Sequence, residues 1–447
     1  MSTGKISSVV TRVFTLAALA SLLAALDTST PLHAQTLSGF ERDRGRMMLG
    51  IIKDDVKKHY YDPTFRGIDI DARFKEAEEK IKQATSNGQV FRIIARVLLD
   101  FNDSHTFFLP PSRASRSDYG WQMQIVGDMC YVAAVKPGSD AETKGLKIGD
   151  RVLSVNGFQP TRDNMWQLHY LYYSLQPQAG LRVVAESPGG QPRELDVMAK
   201  VQQGKKLLDL TGSIDLNNYV RDAESEDRLH RHRFHEVGDE LLIWKMPQFD
   251  LEENVVDSYM SKARKRKALI LDLRGNGGGW VVTLQRLISH FFEQEVKVGD
   301  LKGRKEMKPM VAKKRSGGIF KGKLVVLIDS RSGSASELFA RVMQLENRGT
   351  VIGDRSAGAV MRSRHYGHSM GTDTMVFYGT SVTDADLIMT DGKSLERVGV
   401  TPDVLMLPSA KDIAATRDVV MSHAASLVGV EMDAAKAGAL FPVEWRK

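Results

Sequence analysis

Apolar residues recur at helical spacing over residues 40–60, 70–85 and 90–101, where Ile93, Ile94, Val97 and Leu98 share one face. This pattern predicts an N-terminal helical region over 35–114. The region ends in the polar kink Asn102-Asp103-Ser104-His105-Thr106, then the apolar run Phe107-Phe108-Leu109, stopped by Pro110-Pro111. Between 115 and 202 the pattern shortens to a β-rich module. Strands are expected at 129–135, 151–155, 181–186 and 193–199, with a short helix at 141–145 and a longer one at 165–174. Residues 203–235 are polar and irregular. From 240 strands and helices alternate. Strands are expected at 241–245, 268–273, 324–329 and 350–354, and helices at 255–264, 280–292 and from 334. Shorter strands follow at 374–378 and 381–383, and a C-terminal helix begins at 410. The expected class is a multidomain α+β chain. Its parts are the helical region, the module at 115–202, an α/β core at 203–410 and a helix and tail at 411–447.

Two turns in the α/β part carry candidate chemistry. Ser334 sits where the strand 324–329 gives way to a helix with Leu338, Val342 and Leu345 on one face. A serine there lies beside free N–H groups at the positive end of a helix, a position that suits a nucleophile. The same residues, Ser334-Ala335-Ser336-Glu337, also form a capping box, which needs no chemistry. The second turn, Arg274-Gly275-Asn276-Gly277-Gly278-Gly279, follows the apolar strand Ala-Leu-Ile-Leu-Asp-Leu. It can cradle a phosphate or an oxyanion. It is neither a Walker loop nor a dinucleotide fingerprint, because the spacing fails both. His105, in a kink before an apolar run, is ordinarily structural. His230, His232 and His235 alternate without an acidic or cysteine partner at ligand spacing, and are read as solvated charge rather than a metal site.

Composition narrows the class. The 447 residues are 42% apolar and 26% charged, an ordinary globular balance. A net charge of +7 does not demand nucleic acid, though it is compatible with contact at an anionic membrane surface. The runs 262–267 and 313–315 read as solvated flanks. The single cysteine, Cys130, excludes an internal disulfide and a multi-cysteine zinc site, and reads as a small buried hydrophobe. Lys5 and Arg12, the apolar stretch 13–26 and Pro31-Leu32-His33-Ala34 read as a secretory signal over 1–34. An exported protein is expected.

The run Ala-Glu-Thr-Lys-Gly-Leu-Lys-Ile-Gly-Asp-Arg-Val-Leu-Ser-Val-Asn-Gly at 141–157 resembles a PDZ domain. That resemblance implies capture of an extended peptide, with Gly120, Trp121 and Gln122 in the carboxylate-binding loop. Four further motifs occur in order: Asp-Leu-Arg-Gly-Asn-Gly-Gly-Gly at 272–279, residues 324–337, Thr-Val-Ile-Gly-Asp at 350–354 and Glu-Arg-Val-Gly-Val-Thr-Pro-Asp at 396–403. Together they resemble the C-terminal processing (tail-specific) serine peptidases. The resemblance implies a crotonase-like (ββα) α/β core with Ser334 as nucleophile. The oxyanion donors would be the N–H of Ala335 and one from Gly277-Gly278, Gly278 being preferred.

The lysine base of that family falls at Ala359, which cannot take a proton. The related tricorn-type branch pairs the serine with histidine instead. It implies His105 as base, with Ser104 and Glu396 assisting; His365 and His368 are alternative bases that lack the motif context. The chemistry needs no metal or organic cofactor. The implied partner is a polypeptide, the implied oligomeric state is open, and nucleic acid is not implied. With the lysine absent, a non-catalytic peptide binder built on the same groove is the competing reading.

Overall fold

The computed structural model describes residues 37–111, 115–203, 231–371 and 375–445. The expected leader at 1–34, and most of the polar stretch at 203–235 with His230, lie outside the described residues. Side-chain oxygens of Ser38, Asp69 and Ser86 each accept from the N–H three residues on. They start helices α1 (Gly39–His59), α2 (Ile70–Lys82) and α3 (Asn87–Leu99). The apolar faces of these helices close into one core that includes Ile52, Phe74, Ile94 and Leu98. Tyr378 and Val382, from a distant strand, complete it. β1 (Phe107–Leu109) pairs antiparallel with that same strand, Phe107 opposite Ser381. The polar kink before β1 is thereby fixed between α3 and a sheet.

The module that follows opens and closes on a two-stranded stem, β2 (Ser115–Asp118) against β8 (Lys200–Gln203). Between them run β3 (Trp121–Val126), β4 (Met129–Val135), α4 (Asp140–Thr143), β5 (Arg151–Val155), α5 (Met165–His169), β6 (Gly180–Glu186) and β7 (Arg193–Met198). The five strands β3 to β7 form one antiparallel meander in chain order. α5 does not continue as an α-helix to residue 174; it widens into a π-helical turn over Tyr170–Leu175. Cys130 is buried in this module.

The core is a six-stranded sheet, in the order β18-β15-β14-β11-β10-β9. The segments are β9 (Arg233–Val237), β10 (Leu241–Lys245), α6 (Glu253–Ala263), β11 (Ala268–Asp272), α7 (Val281–Ser289), β12 (Val296–Lys302), β13 (Met310–Ala312), β14 (Lys323–Ile328), α8 (Ala335–Leu345), β15 (Thr350–Gly353), β16 (Met361–Met370), β17 (Val376–Met389) and β18 (Val404–Leu405). Only β9 runs antiparallel to its neighbour. All five residues of β11 are buried, as a central parallel strand requires. α6, α7 and α8 cover one face, through Met260, Leu287 and Phe339 among others. The other face is covered by Val420, Met421 and Ala437.

The C-terminal part holds three short helices, α9 (Ala410–Ala414), α10 (Val419–Leu427) and α11 (Ala434–Ala439), where one helix was expected, and these last residues belong to α10 and α11. The two short strands expected at 374–383 are one long strand, β17, whose partner β16 the pattern did not suggest. His232 is not solvated: Trp244 Nε1 donates to its Nδ1 at 3.1 Å, and its Nε2 lies 3.1 Å from Asp250 Oδ1.

Candidate active site

Ser334 occupies the turn between β14 and α8 with φ 53° and ψ −118°. A non-glycine residue in such a backbone well costs roughly 1–3 kcal/mol and persists only where its surroundings hold it. Here they do. The Ser334 N–H reaches both Ala359 O and Glu337 Oε2 at 2.9 Å. The neighbouring hydroxyls are committed elsewhere: Ser330 to Ile125 O, Ser332 to Leu273 O and Ser336 to Asn276 O. The Ser334 hydroxyl joins none of these bonds.

Glu337, read from the sequence as half of a capping box, has a larger part. It is fully buried and accepts from four donors: Ser356 Oγ, Gly358 N, Ala359 N and Ser334 N, at 2.6–2.9 Å. It therefore ties the Ser334 turn to the loop at 356–359. Burial pushes its carboxyl up to about 7 from 4.5, against the four donors, which favour the carboxylate. A carboxyl raised on folding binds more protons in the folded state between those values. Its contribution to stability therefore falls as pH rises from 4.5 towards 7. Glu337→Gln removes that slope, and its amide nitrogen confronts two of the four donors. A loss of about 2–3 kcal/mol is expected, with the parent losing its advantage as pH rises. Urea unfolding of both proteins across that pH range measures it.

The glycine turn packs directly on this serine. A Cβ on Gly278 would lie 2.6 Å from Ser334 Cβ and 2.9 Å from Gly333 O, and φ there is +105°, so only glycine permits the approach. Buried Asn276 brackets the turn. Its Nδ2 donates to Met246 O, its carbonyl accepts from Gly333 N, and its Oδ1 accepts from Gly278 N at 2.8 Å. The preferred second oxyanion donor, Gly278 N–H, is thus engaged in this structure. The N–H groups of Ala335 and Gly277 have no hydrogen-bond acceptor among the described residues.

The structure brings Ser104, His105 and Glu396 together across 292 positions of sequence. Glu396 Oε1 accepts from Ser104 N and its Oε2 from Ser104 Oγ, both at 2.8 Å. Ser104 Oγ lies 2.6 Å from His105 Nδ1. Glu396 Oε2 also accepts from Val360 N at 2.9 Å, and the residue before it, Ala359, accepts from Ser334 N. One bonded chain therefore runs from the Ser334 turn through Ala359-Val360 to Glu396, Ser104 and the imidazole. No hydrogen bond joins Ser334 Oγ to His105 in this structure. Burial lowers His105 to about 4, with Asp103 opposing and His365 adding to the shift, so the ring is neutral at neutral pH. Burial raises the Glu396 carboxyl, opposed by its bonds to Ser104 and Val360.

Asp103, which the sequence did not single out, shapes this kink. Its Oδ1 accepts from the N–H of His105 and Thr106 and from Thr383 Oγ1, and its Oδ2 from Tyr60. Of the alternative bases, His368 is committed to Asp55 at 2.7 Å. His365 is exposed on β16, with its ring 6.4 Å from that of Phe107. Among the described residues no cluster of three or more His, Cys, Asp or Glu is set to hold a metal ion.

The β3 edge of the small module is bonded to the same turn. Ser330 Oγ donates to Ile125 O, and Gln124 Nε2 to Asp329 Oδ2 at 2.7 Å. Arg162 and Asp354, both nearly buried, pair at 2.8 Å across the interface. Of the expected peptide-binding loop, Gly120 N–H already donates to Asp118 Oδ1 at 2.9 Å, while Trp121 and Gln122 line a groove beside it.

A strained serine at a helix N-terminus, a glycine turn against it and a carboxylate–serine–histidine group joined to it by hydrogen bonds are the parts of one candidate site. Residues 241–406 match Peptidase family S41, and residues 111–165 match the PDZ domain. Over 324 residues the chain is 26% identical to the tail-specific protease of Haemophilus influenzae, covering 68% of this chain and 43% of that protein. Over 373 residues it is 23% identical to the chloroplastic C-terminal processing peptidase of Tetradesmus obliquus, covering 79% and 75%. The fold is shared with mature CPAF complexed with lactacystin, at TM-score 0.60 and 14% identity, over 83% of this chain and 95% of that one. The chain spans less than half the length of the Haemophilus protein.

Proposed function

We propose that this chain is an exported serine endopeptidase that cleaves unstructured or C-terminally presented polypeptides through an acyl-enzyme. Ser334 is the nucleophile and His105, not a lysine, is the base. The observation that carries this reading is the bonded chain from Ser334 N–H through Ala359-Val360 to Glu396, Ser104 and His105. Ser104 Oγ has one proton, and Glu396 Oε2 accepts it. Ser104 Oγ, having donated its proton's bond to Glu396, must itself accept from His105 Nδ1–H, which leaves a lone pair on Nε2. That nitrogen takes the Ser334 proton as the hydroxyl attacks the peptide carbonyl, and returns it to the leaving amine. Water, deprotonated by the same nitrogen, then attacks the acyl carbon, and Nε2 returns that proton to Ser334 Oγ as the ester bond breaks and the acid leaves. Ala335 N–H, at the start of an eleven-residue helix, faces the developing oxyanion, with Gly277 or Gly278 beside it.

Export rests on the composition of residues 1–34. No helix among the described residues is long and apolar enough to cross a membrane.

An unstructured polypeptide incubated with residues 35–447, without added metal, is expected to fragment. The Ser334→Ala protein is expected to leave it intact. Binding of the polypeptide by the parent protein without any cleavage would replace this reading with the peptide-binder alternative.

A further inference from the structure

A groove of about 460 Å³ lies between the N-terminal helices and the PDZ domain. One wall comes from α2 and α3, and the other from α5 and the π-helical turn after it. The lining is apolar in its middle, where α3 contributes Ile93, Val97 and Leu99 and the PDZ side contributes Leu168 and Leu171. Phe158, just after the Asn-Gly turn of the PDZ domain, also lines the groove and is 56% exposed. An apolar concavity left open to solvent in this way is a feature of binding sites.

Charge separates this groove from an ordinary gap between domains. Four cations line it, Arg73, Lys80, Arg92 and Arg96, and no carboxylate does. Outside the lining, Glu76 pairs with Arg73 and Lys80, and Asp100 with Arg73 and Arg96. Two carboxylates against four cations leave two positive charges unanswered. Arg92 is exposed and bonds only to the Gln176 amide oxygen, at 3.2 Å; it has no carboxylate partner among the described residues. That bond crosses from α3 to the end of the π-helical turn, so the guanidinium is held at the groove.

The walls also bear on the kind of guest. Apart from Phe158 and Asn164, every lining residue belongs to a helix. Helical walls offer no sheet edge for an extended peptide to join, whereas a hydrocarbon chain needs none. We propose that this groove binds a free fatty acid, with the acyl chain along the apolar lining and the carboxylate on Arg92. An arginine fork matches the two oxygens of a carboxylate. A fatty acid held this way touches both the helical region and the PDZ domain. The inference goes beyond the peptidase reading and does not rest on it, because no lining residue belongs to the candidate active site.

The test uses residues 35–447 and the fluorescent probe dansylaminoundecanoate, displaced by unlabelled competitors. Dodecanoate is expected to displace the probe at least about tenfold better than uncharged dodecanamide, the gain of one charge-assisted bond. It is also expected to outcompete the shorter octanoate by at least about tenfold, because each buried methylene adds to affinity. Arg92→Gln should weaken dodecanoate by about tenfold and leave dodecanamide within about twofold, and Arg92→Lys should restore part of the difference. A thermal melt of Arg92→Gln without ligand should match the parent, since the side chain is exposed. Equal displacement by acid and amide, an undiminished acid affinity in Arg92→Gln, or no binding of the probe would each overturn the proposal. Stronger displacement by lauroyl lysophosphatidylglycerol than by dodecanoate would also overturn it, and would put a phospholipid in the groove instead. Polypeptide cleavage by the parent protein beside any of these results leaves the peptidase reading standing.

Discussion

Ser334→Ala is expected to lower turnover of polypeptide by at least about 10⁴-fold, with little change in thermal midpoint. Loss of a serine nucleophile removes the covalent route, and what remains is binding and the oxyanion site. The fold should tolerate the change because the bonds that set the turn are made by the Ser334 backbone. Its N–H to Ala359 and Glu337, and its carbonyl to the Glu337 and Leu338 N–H groups, all survive in alanine. The strain of φ 53° is the same for either residue. Steady-state kinetics and a thermal melt on the same preparation check both halves. A variant that cleaves at even a hundredth of the parent rate would move the nucleophile away from Ser334.

His105→Ala is expected to cost about 10³-fold or more in kcat, because no other group in the bonded chain can take the proton. Glu396 is already engaged by Ser104 twice and by Val360, and the position that the resemblance gives to a lysine holds Ala359. The effects of Ser334→Ala and His105→Ala should not add. If the two residues act as one unit, the double variant should be no slower than the worse single one. Glu396→Gln should give a smaller loss, since it disturbs the tautomer of the imidazole without removing it. With its value near 4, the ring stays neutral to well below pH 6, so kcat should not fall through a histidine limb near pH 6.5. The pH profiles of kcat for the parent and Glu396→Gln test this directly.

Much of the fold follows from local pattern. The β14-turn-α8 unit, the strand before the glycine turn and the PDZ strands are short apolar runs bounded by Gly and polar turns. Their predicted bounds differ from the observed ones by a few residues at most. The β16–β17 hairpin was illegible for a physical reason. Its first strand, Met-Arg-Ser-Arg-His-Tyr-Gly-His-Ser-Met, is largely polar and partly exposed, and its second is half a cover for a helical region far away in sequence. Nothing local marks the first as a strand, and the second reads only as two short strands, 374–378 and 381–383. The pattern predicts one C-terminal helix and a tail rather than three helices, because burial against the second face of the sheet is a tertiary fact.

The site divides in the same way. Ser334 and the glycine turn at 275–279 stand out as candidates because strand–turn–helix junctions leave a local signature, while the choice of Gly278 within that turn rests on resemblance. His105, Ser104 and Glu396 came only from resemblance, since no spacing rule joins residues so far apart. Glu337 was visible as a cap but not as the acceptor of four donors, because three of those donors come from the loop at 356–359. Asp103 and Asn276 could have been suspected as short polar residues in turns beside candidate chemistry, a setting in which Asx side chains bond nearby backbone.

The central claim is that Ser334 is an activated nucleophile with His105 as its base. Fluorophosphonate labelling, with the adduct located by mass spectrometry, tests it most directly because the probe reacts only with an activated serine. Rapid labelling at Ser334 in the parent protein, slowed by at least about 100-fold in His105→Ala, is the expected result. An unlabelled parent protein, or labelling at Ser334 that proceeds unchanged without His105, would contradict it.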